Sequence, residues 1–348
     1  MIKAIHRKYN LNFKNPSGTS RGILRTKETW FIILDENGKT GIGETGLFRG
    51  LSIDDVPNYE EKLSWVCQNI NLGLITLLKE CFEYPSIQFG LEQAFLSLKS
   101  KNRFELFPSQ FTKGEKSIPI NGLVWMGEKE FMKNQIKEKL TSGFSCIKMK
   151  IGAIDFEAEI ELLKSIRKEF SSKEIELRVD ANGAFNPKNA LDKLQRLSAL
   201  EIHSIEQPIK QGQVYEMAEL CSKTPLPIAL DEELIGVYSN EEKQQLLATI
   251  KPQYIILKPS LIGGFAGSKE WIKFAEQNKC GWWITSALES NIGLSAIAQF
   301  THTLQSSLPQ GLGTGSLFTN NFTSPLEVKN GTLRYNPAVN WNFNLTKF

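Results

Sequence analysis

The chain has 348 residues, 41% of them hydrophobic, and its 41 basic and 38 acidic side chains leave a net charge of +3. That length accommodates two domains, or one large domain with an appendage. Near-balanced charge without a Lys/Arg-rich run excludes nucleic acid as an expected partner, and apolar stretches no longer than 253–259 or 281–288 exclude a membrane span.

The first segments read as antiparallel β. Ile2, Ala4, Leu11 and Phe13 fall on alternating positions, and 29–35 (TWFIILD) runs into Glu36-Asn37-Gly38-Lys39, an Asn-Gly hairpin signal followed by 40–44. From about Ile53 to Leu98 the period becomes helical, with Trp65, Ile70, Leu74 and Leu78, then Leu91, Ala94, Phe95 and Leu98 at three- and four-residue steps. A meander followed by helices is an α+β domain.

After the polar stretch 112–117, short apolar strands alternate with amphipathic helices. Strands are expected at 117–123, 145–151, 175–181, 202–207, 227–232, 253–259 and 281–287, with helices over 128–141, 155–170, 187–198, 212–222, 240–249 and 265–278. The strand ends recur roughly every 25–30 residues, the size of one βα unit. Seven units and a weak eighth near 308–313 predict a (β/α)₈-type barrel. No Gly-rich phosphate loop follows an early strand, as a doubly wound sheet would require. The last twenty-odd residues, polar and aromatic, are expected to fold back onto the first domain.

The ionisable groups fall at strand ends. Lys148 and Lys150 share one face of their strand, as do Arg178, Asp180 and Asn182 of the next. Glu206 ends the following strand, Asp231-Glu232 the one after, and Lys258 lies within YIILKPS. Lys148, Lys150, Asp180, Glu206, Asp231 and Lys258 thus stand at the C-terminal ends of five consecutive strands, where barrels of this type build active sites. Three carboxylates on adjacent strands repel one another unless a cation lies among them. Oxygen ligation points to Mg²⁺, Mn²⁺ or Ca²⁺ rather than zinc, and three protein oxygens, leaving room for water and substrate, favour Mg²⁺. With histidine only at 6, 203 and 302, a His-rich site is excluded; five scattered cysteines without a Cys-x-x-Cys pair argue for reduced thiols in a cytoplasmic protein. His203 is expected to be a packed side chain. An ammonium beside a second one, and partly desolvated, should have a lowered pKa and serve as a base near neutral pH; Lys150, with Lys148 two residues away, fits that description. Lys258, four strands on, would face it across a small carboxylate substrate.

In order and spacing, the Lys-x-Lys at 148–150, the Asp-x-Asn at 180–182, Glu206, Asp231-Glu232 and Lys258 resemble the enolase superfamily, and within it the muconate-lactonising-enzyme subgroup. The resemblance covers almost the whole chain. It implies an α+β capping domain at 1–115, completed by the tail 322–348, and a modified TIM (β/α)₈ barrel as catalytic domain at 116–321. It also implies Asp180, Glu206 and Asp231 as ligands of Mg²⁺, with Mn²⁺ able to substitute. Lys150 would be the general acid/base, Lys148 its electrostatic neighbour and Lys258 the lysine of the opposite face. Asn182 and Arg178 would support the ligands, and Glu232 would partner Lys258.

Two further segments, TSALESNIGLSAIAQ at 285–299 and QGLGTGSLFTNN at 310–321, resemble the o-succinylbenzoate synthases of that subgroup. They place Ser286, Asn291, Gly313 and Thr314 as substrate contacts, Gly313 and Thr314 in a small loop suited to an anion. The implied reaction is dehydration of 2-succinyl-6-hydroxy-2,4-cyclohexadiene-1-carboxylate to o-succinylbenzoate, a step of menaquinone synthesis. N-succinylamino acid racemase or dipeptide epimerase is the alternative; the acid-free loop at 313–315 weighs against the epimerase. Loops 17–25 and 46–51 of the cap are candidates for closing over the barrel mouth. The sequence does not specify an oligomeric state.

Overall fold

The protein is described from a computed structural model, which covers residues 1–19, 22–125, 128–152 and 154–343. Strands β1 (Lys3–Thr19), β2 (Gly22–Glu36) and β3 (Lys39–Glu44) form an antiparallel sheet in that order. The β2–β3 turn places Asn37 and Gly38 at φ 54° and 82°, the left-handed pair that a two-residue hairpin needs. From Thr29 to Leu34, β2 is buried on both faces. Trp30, Ile32 and Leu34 face a helical layer, whereas Phe31 and Ile33 meet Ile42, Ile292 and Phe322. That is why TWFIILD lacks the alternation of β1.

The helical layer comprises α1 (Tyr59–Gln68), α2 (Leu74–Glu80) and α3 (Pro85–Lys99). α3 lies directly on β3: a Cβ at Gly43 would come 1.9 Å from the carbonyl oxygen of Gly90, so only glycine permits this approach.

A two-residue strand, β4 (Ile118–Pro119), precedes the barrel. Seven parallel strands follow: β5 (Gly122–Val124), β6 (Cys146–Lys150), β7 (Glu176–Asp180), β8 (Ser204–Glu206), β9 (Ile228–Leu230), β10 (Tyr254–Leu257) and β11 (Gly281–Ile284). Between them run α4 (Lys129–Thr141), α5 (Phe156–Glu169), α6 (Pro187–Ser198), α7 (Val214–Lys223), α8 (Asn240–Ile250) and α9 (Gly264–Gln277). Several begin on side-chain caps: Asp155 on α5, Asn186 before Pro187 on α6, and a Ser239–Glu242 capping box on α8.

The weak eighth strand is real but minimal. Gln310 and Gly311 make parallel bridges to Ile120 and Thr285, closing the sheet. The Gln310 side chain also accepts the Ile284 N–H (2.7 Å), so an amide replaces part of the ladder.

The strand expected at 117–123 is split between β4, which joins a sheet of the tail, and β5 of the barrel. The strand placed at 281–287 stops at Ile284, and α10 (Asn291–Thr303), absent from the expected helices, fills the segment after it. Residues 292–301 of α10 are buried without a break, so no amphipathic stripe announces the helix. The tail, expected to fold back onto the first domain, is described to residue 343. Its β12 (Leu326–Lys329) and β13 (Thr332–Tyr335) form a sheet with β4, while Trp341 stacks on Phe104 and Phe343 packs on Phe31.

One joint between the layers carries a pH signature. The Glu92 carboxylate, on α3, accepts the N–H groups of Phe265 (2.5 Å) and Ala266 (3.0 Å) at the start of α9. Burial nevertheless pushes its pKa up to about 7 against those donors. Because the folded value lies above the unfolded one, the stability this group contributes is full below about pH 4.5 and is lost as pH rises through about 7, a difference of about 3 kcal/mol. Denaturant titrations of the parent and Glu92→Gln at several pH values should therefore diverge across that window. Parallel curves would mean that Glu92 keeps its ordinary pKa.

Candidate active site

The parallel register places the charges. Lys150 pairs with Asp180 across β6–β7, Asp180 with Glu206 across β7–β8, and Glu206 with Ala229 across β8–β9, so Asp231 stands one pleat above Ala229 on the same face. Asp180, Glu206 and Asp231 are all buried.

Among the described residues, acidic, His and Cys side chains form no ready cluster of metal-ligand type; ammoniums answer the carboxylates instead. Lys148 Nζ bonds both Asp180 Oδ2 (2.9 Å) and Glu206 Oε2. Lys150 Nζ donates to Asp180 Oδ2 (2.8 Å) and Asn182 Oδ1 (2.6 Å), and Lys258 pairs with Asp231 Oδ2. Asn182, at φ 44°, donates its own N–H to Asp180 Oδ1 (3.0 Å) and its amide to Glu232 Oε1 (3.0 Å).

Lys148, the neighbouring ammonium, is held charged by the carboxylates around it. Burial pushes its pKa down, but Asp180, Glu206 and Asp231 outweigh burial and hold it well above its ordinary value. Lys258 is raised in the same way, chiefly by Asp231 against burial. Asp180 is driven low by Lys148 and Lys150 despite burial, while burial and the Asp180 charge push Glu206 up. Glu206 Oε1 is buried and has no hydrogen-bond partner among the described residues.

A pocket opens above these groups. Lys148, Lys150, Asp180, Asn182, Glu232 and Lys258 form its floor. Phe48 and Leu51 of loop 46–51, with Leu123, Trp125, Leu288 and Leu317, form an apolar wall, and Ser286, Gly313 and Thr314 border it. Ser286 and Thr314 hydroxyls bond each other at 2.6 Å, joining the two loops after β11. Of loop 17–25, Ser20 and Arg21 lie outside the described residues.

Other named residues sit elsewhere. Asn291 starts α10, where its amide donates to Phe322 O (2.6 Å) and its N–H to Asn321 Oδ1 (2.8 Å), tying the helix to the tail. Arg178 shares the Asp180 face but lies two residues deeper. It bonds Glu176 (2.6 Å) and Pro309 O (2.9 Å) and stacks over Trp283 at 4.2 Å. His203 packs on Tyr254 and meets the Ser204 hydroxyl (3.0 Å). Glu232 is held by Asn182, and Lys258 takes Asp231 rather than Glu232 as its direct partner.

Sequence reasoning missed Gln207. Buried at φ 39°, it accepts the N–H groups of Asp231 (3.2 Å) and Glu233 (3.3 Å), fixing the backbone that carries Asp231. Trp125 was missed too; an aromatic after a strand has no sequence signal that separates pocket from core.

The family description "Enolase C-terminal domain-like" matches residues 132–338. The chain belongs to this family. Within it, the chain is 48% identical to an o-succinylbenzoate synthase of Desulfotalea psychrophila, over 94% of this chain and 97% of that one. The crystal structure of MenC from Desulfotalea psychrophila superposes with a TM-score of 0.85 at 45% identity, covering 96% of this chain and 99% of the other. The L-Ala-D/L-Glu epimerase of Bacillus subtilis superposes with a TM-score of 0.80 at 19% identity, covering 96% of this chain and 95% of that one, a likeness of fold. The enolase-type barrel and its N-terminal antiparallel sheet domain are thus this chain's architecture.

Proposed function

We propose that the chain is an o-succinylbenzoate synthase, which dehydrates 2-succinyl-6-hydroxy-2,4-cyclohexadiene-1-carboxylate in menaquinone biosynthesis. The observation that carries this reading is 48% identity to a synthase along nearly the full length of both chains. The pocket supports it, with ionic groups on one side and an apolar wall suited to a ring on the other. The same reading divides the chain near residues 115 and 116, with 322–348 returning to the cap, and places it in the cytoplasm.

Enzymes of the enolase superfamily use a divalent metal. Asp180, Glu206 and Asp231 fit one: they are hard oxygen donors on neighbouring strands, and Glu206 Oε1 has no other partner among the described residues. These three would hold Mg²⁺, with Mn²⁺ able to replace it. Bound there, a divalent metal would supply positive charge beside the substrate carboxylate.

Lys150 Nζ takes the ring proton beside the carboxylate, and Asp180 and Asn182 aim it. The C–H electron pair moves into the carboxylate. As that charge returns, the ring–hydroxyl bond breaks and the same Nζ returns its proton to the departing oxygen on the same face, so one water leaves and the ring becomes aromatic. Lys148 holds Asp180 and Glu206 in place, and Lys258 keeps its positive charge opposite Lys150. Ser286, Gly313 and Thr314 border the end where the succinyl carboxylate fits, while Phe48, Leu51 and Leu288 exclude water from the ring.

Product formation from the cyclohexadiene, followed by ultraviolet absorbance with Mg²⁺ present, tests the assignment; no product with fully metallated protein would refute it. Two opposed lysines also fit racemisation of N-succinylamino acids, a reaction that needs an acid and a base on opposite faces. Lys258→Arg separates the two, because arginine keeps the charge but does not deprotonate near neutral pH. Dehydration should retain at least about a tenth of its rate, within the range for losing one oriented charge, while any racemisation should vanish. Complete loss of dehydration would overturn the one-base scheme.

A further inference from the structure

Three ionisable side chains buried between the N-terminal sheet and the barrel have no part in that chemistry. Glu44 ends β3. Its Oε1 accepts Thr29 Oγ1 (2.8 Å) and the Ser290 N–H (2.9 Å), and its Oε2 accepts Ser290 Oγ (2.5 Å) and the Gly293 N–H (2.9 Å). The carboxylate therefore caps α10 from another element, where helix donors favour an anion. Glu289 Oε1 accepts Ser260 Oγ (2.6 Å), two residues beyond Lys258, and its Oε2 accepts the Ala287 N–H (2.8 Å) at the pocket edge. Lys27 of β2, 3% exposed, donates to Gly46 O (3.5 Å) and lies in the field of both glutamates. Gly46, at φ +70°, lies so close to the barrel that a Cβ would come 2.8 Å from that of Ser260. Phe48 and Leu51 follow it into the pocket wall.

We propose that Lys27, Glu44 and Glu289 form a buried ionic joint that holds loop 46–51 in register with the loops carrying Lys258 and Leu288, and so positions the apolar wall of the pocket. The ammonium bonds neither carboxylate directly; it bonds Gly46 O, and a Cβ at Gly46 would come 3.3 Å from Glu289 Cγ, so it faces Glu289 across that glycine. Glu44 already has the end of α10 and four donors, whereas Glu289 has two, so the ammonium chiefly balances Glu289. Burial pushes Lys27 down and Glu289 up from their ordinary pKa values, each opposed by the other's charge. Without the ammonium, Glu289 is a buried charge lacking compensation, which the segment 287–289 relieves by moving. The three are positioning residues, since they meet the substrate only through the loops they set. The inference rests on the proposed synthase reading for its kinetic consequence alone.

The test compares the parent, Lys27→Met and the double variant Lys27→Met/Glu289→Gln. Methionine fills the lysine's space, and glutamine can keep bonds to both Ser260 and Ala287. Lys27→Met should raise KM for the cyclohexadiene at least tenfold with kcat within threefold, leave the Mg²⁺ dissociation constant within twofold, and speed amide hydrogen exchange in 47–51 and 286–290 together. The double variant should return KM and both exchange rates to within threefold of the parent. Unchanged exchange and KM in Lys27→Met, a uniform rise of exchange along the whole chain, or a double variant worse than the single would each overturn the joint. A Lys27→Met chain that fails to fold while the double variant folds supports it, and failure of both refutes it. Exchange needs no substrate, so a parent that makes no o-succinylbenzoate refutes the synthase reading and leaves the joint to be decided by exchange.

Discussion

Lys150→Ala should lower kcat for the dehydration by about a thousandfold or more, the upper part of the range for a general acid–base group. The size follows from one atom serving twice. In the proposed mechanism Lys150 Nζ removes the ring proton and returns it to the leaving hydroxyl, so its loss would strip the base from the first step and the acid from the second. Lys148 is no substitute: its ammonium is bound to Asp180 and Glu206 and held well above its ordinary pKa. Lys258 is engaged with Asp231 on the far side. Because Lys150 is not among the proposed ligands, Mg²⁺ titration should give a dissociation constant within a few-fold of the parent. Exchange of the ring proton with deuterated solvent should cease. A variant with kcat within tenfold of the parent would remove Lys150 from the role assigned to it.

Chelation should abolish turnover, by more than a thousandfold, yet leave the protein folded. Turnover is lost because an enediolate facing only protein groups lacks the charge that stabilises it. Folding should survive because Asp180, Glu206 and Asp231 each contact an ammonium of Lys148, Lys150 or Lys258, while Glu232 keeps the Asn182 amide. Carboxylates gathered for a metal often repel without the ion; these three carry counter-charges of their own. Circular dichroism in excess chelator should therefore retain the folded signal and a cooperative transition. Mg²⁺ at a hundred times its dissociation constant should add about 2.7 kcal/mol. A chelated chain that unfolds under otherwise stabilising conditions would show that the ammoniums do not balance the site.

The ionic floor of the pocket was legible because its signals are local. Alternation along a strand puts Lys148 with Lys150, and Asp180 with Asn182, whatever surrounds them. The regular βα spacing then sets the order of strands, and order with parallel register brings Asp180, Glu206 and Asp231 side by side. The same rule overreached at Arg178, which has the right face and the wrong depth: period two gives the side of a strand but not the height at which the pocket begins.

Amino-acid order alone therefore determined the barrel, the hairpin at Asn37–Gly38 and the charged residues at the strand ends, because each depends on a short period or a turn preference. Tertiary structure alone decided the rest. α10 is buried on all sides and so shows no stripe, and a closing strand reduced to Gln310 and Gly311 shows no pattern. Asn291 looked like a substrate contact until Asn321 and Phe322 claimed it. No local pattern marks Lys27 or Glu44; only the approach of β2 and β3 to residues 260 and 289–293, more than two hundred positions away, buries them together. Burial and ion pairing are set by distant neighbours in space, and no local period encodes those neighbours.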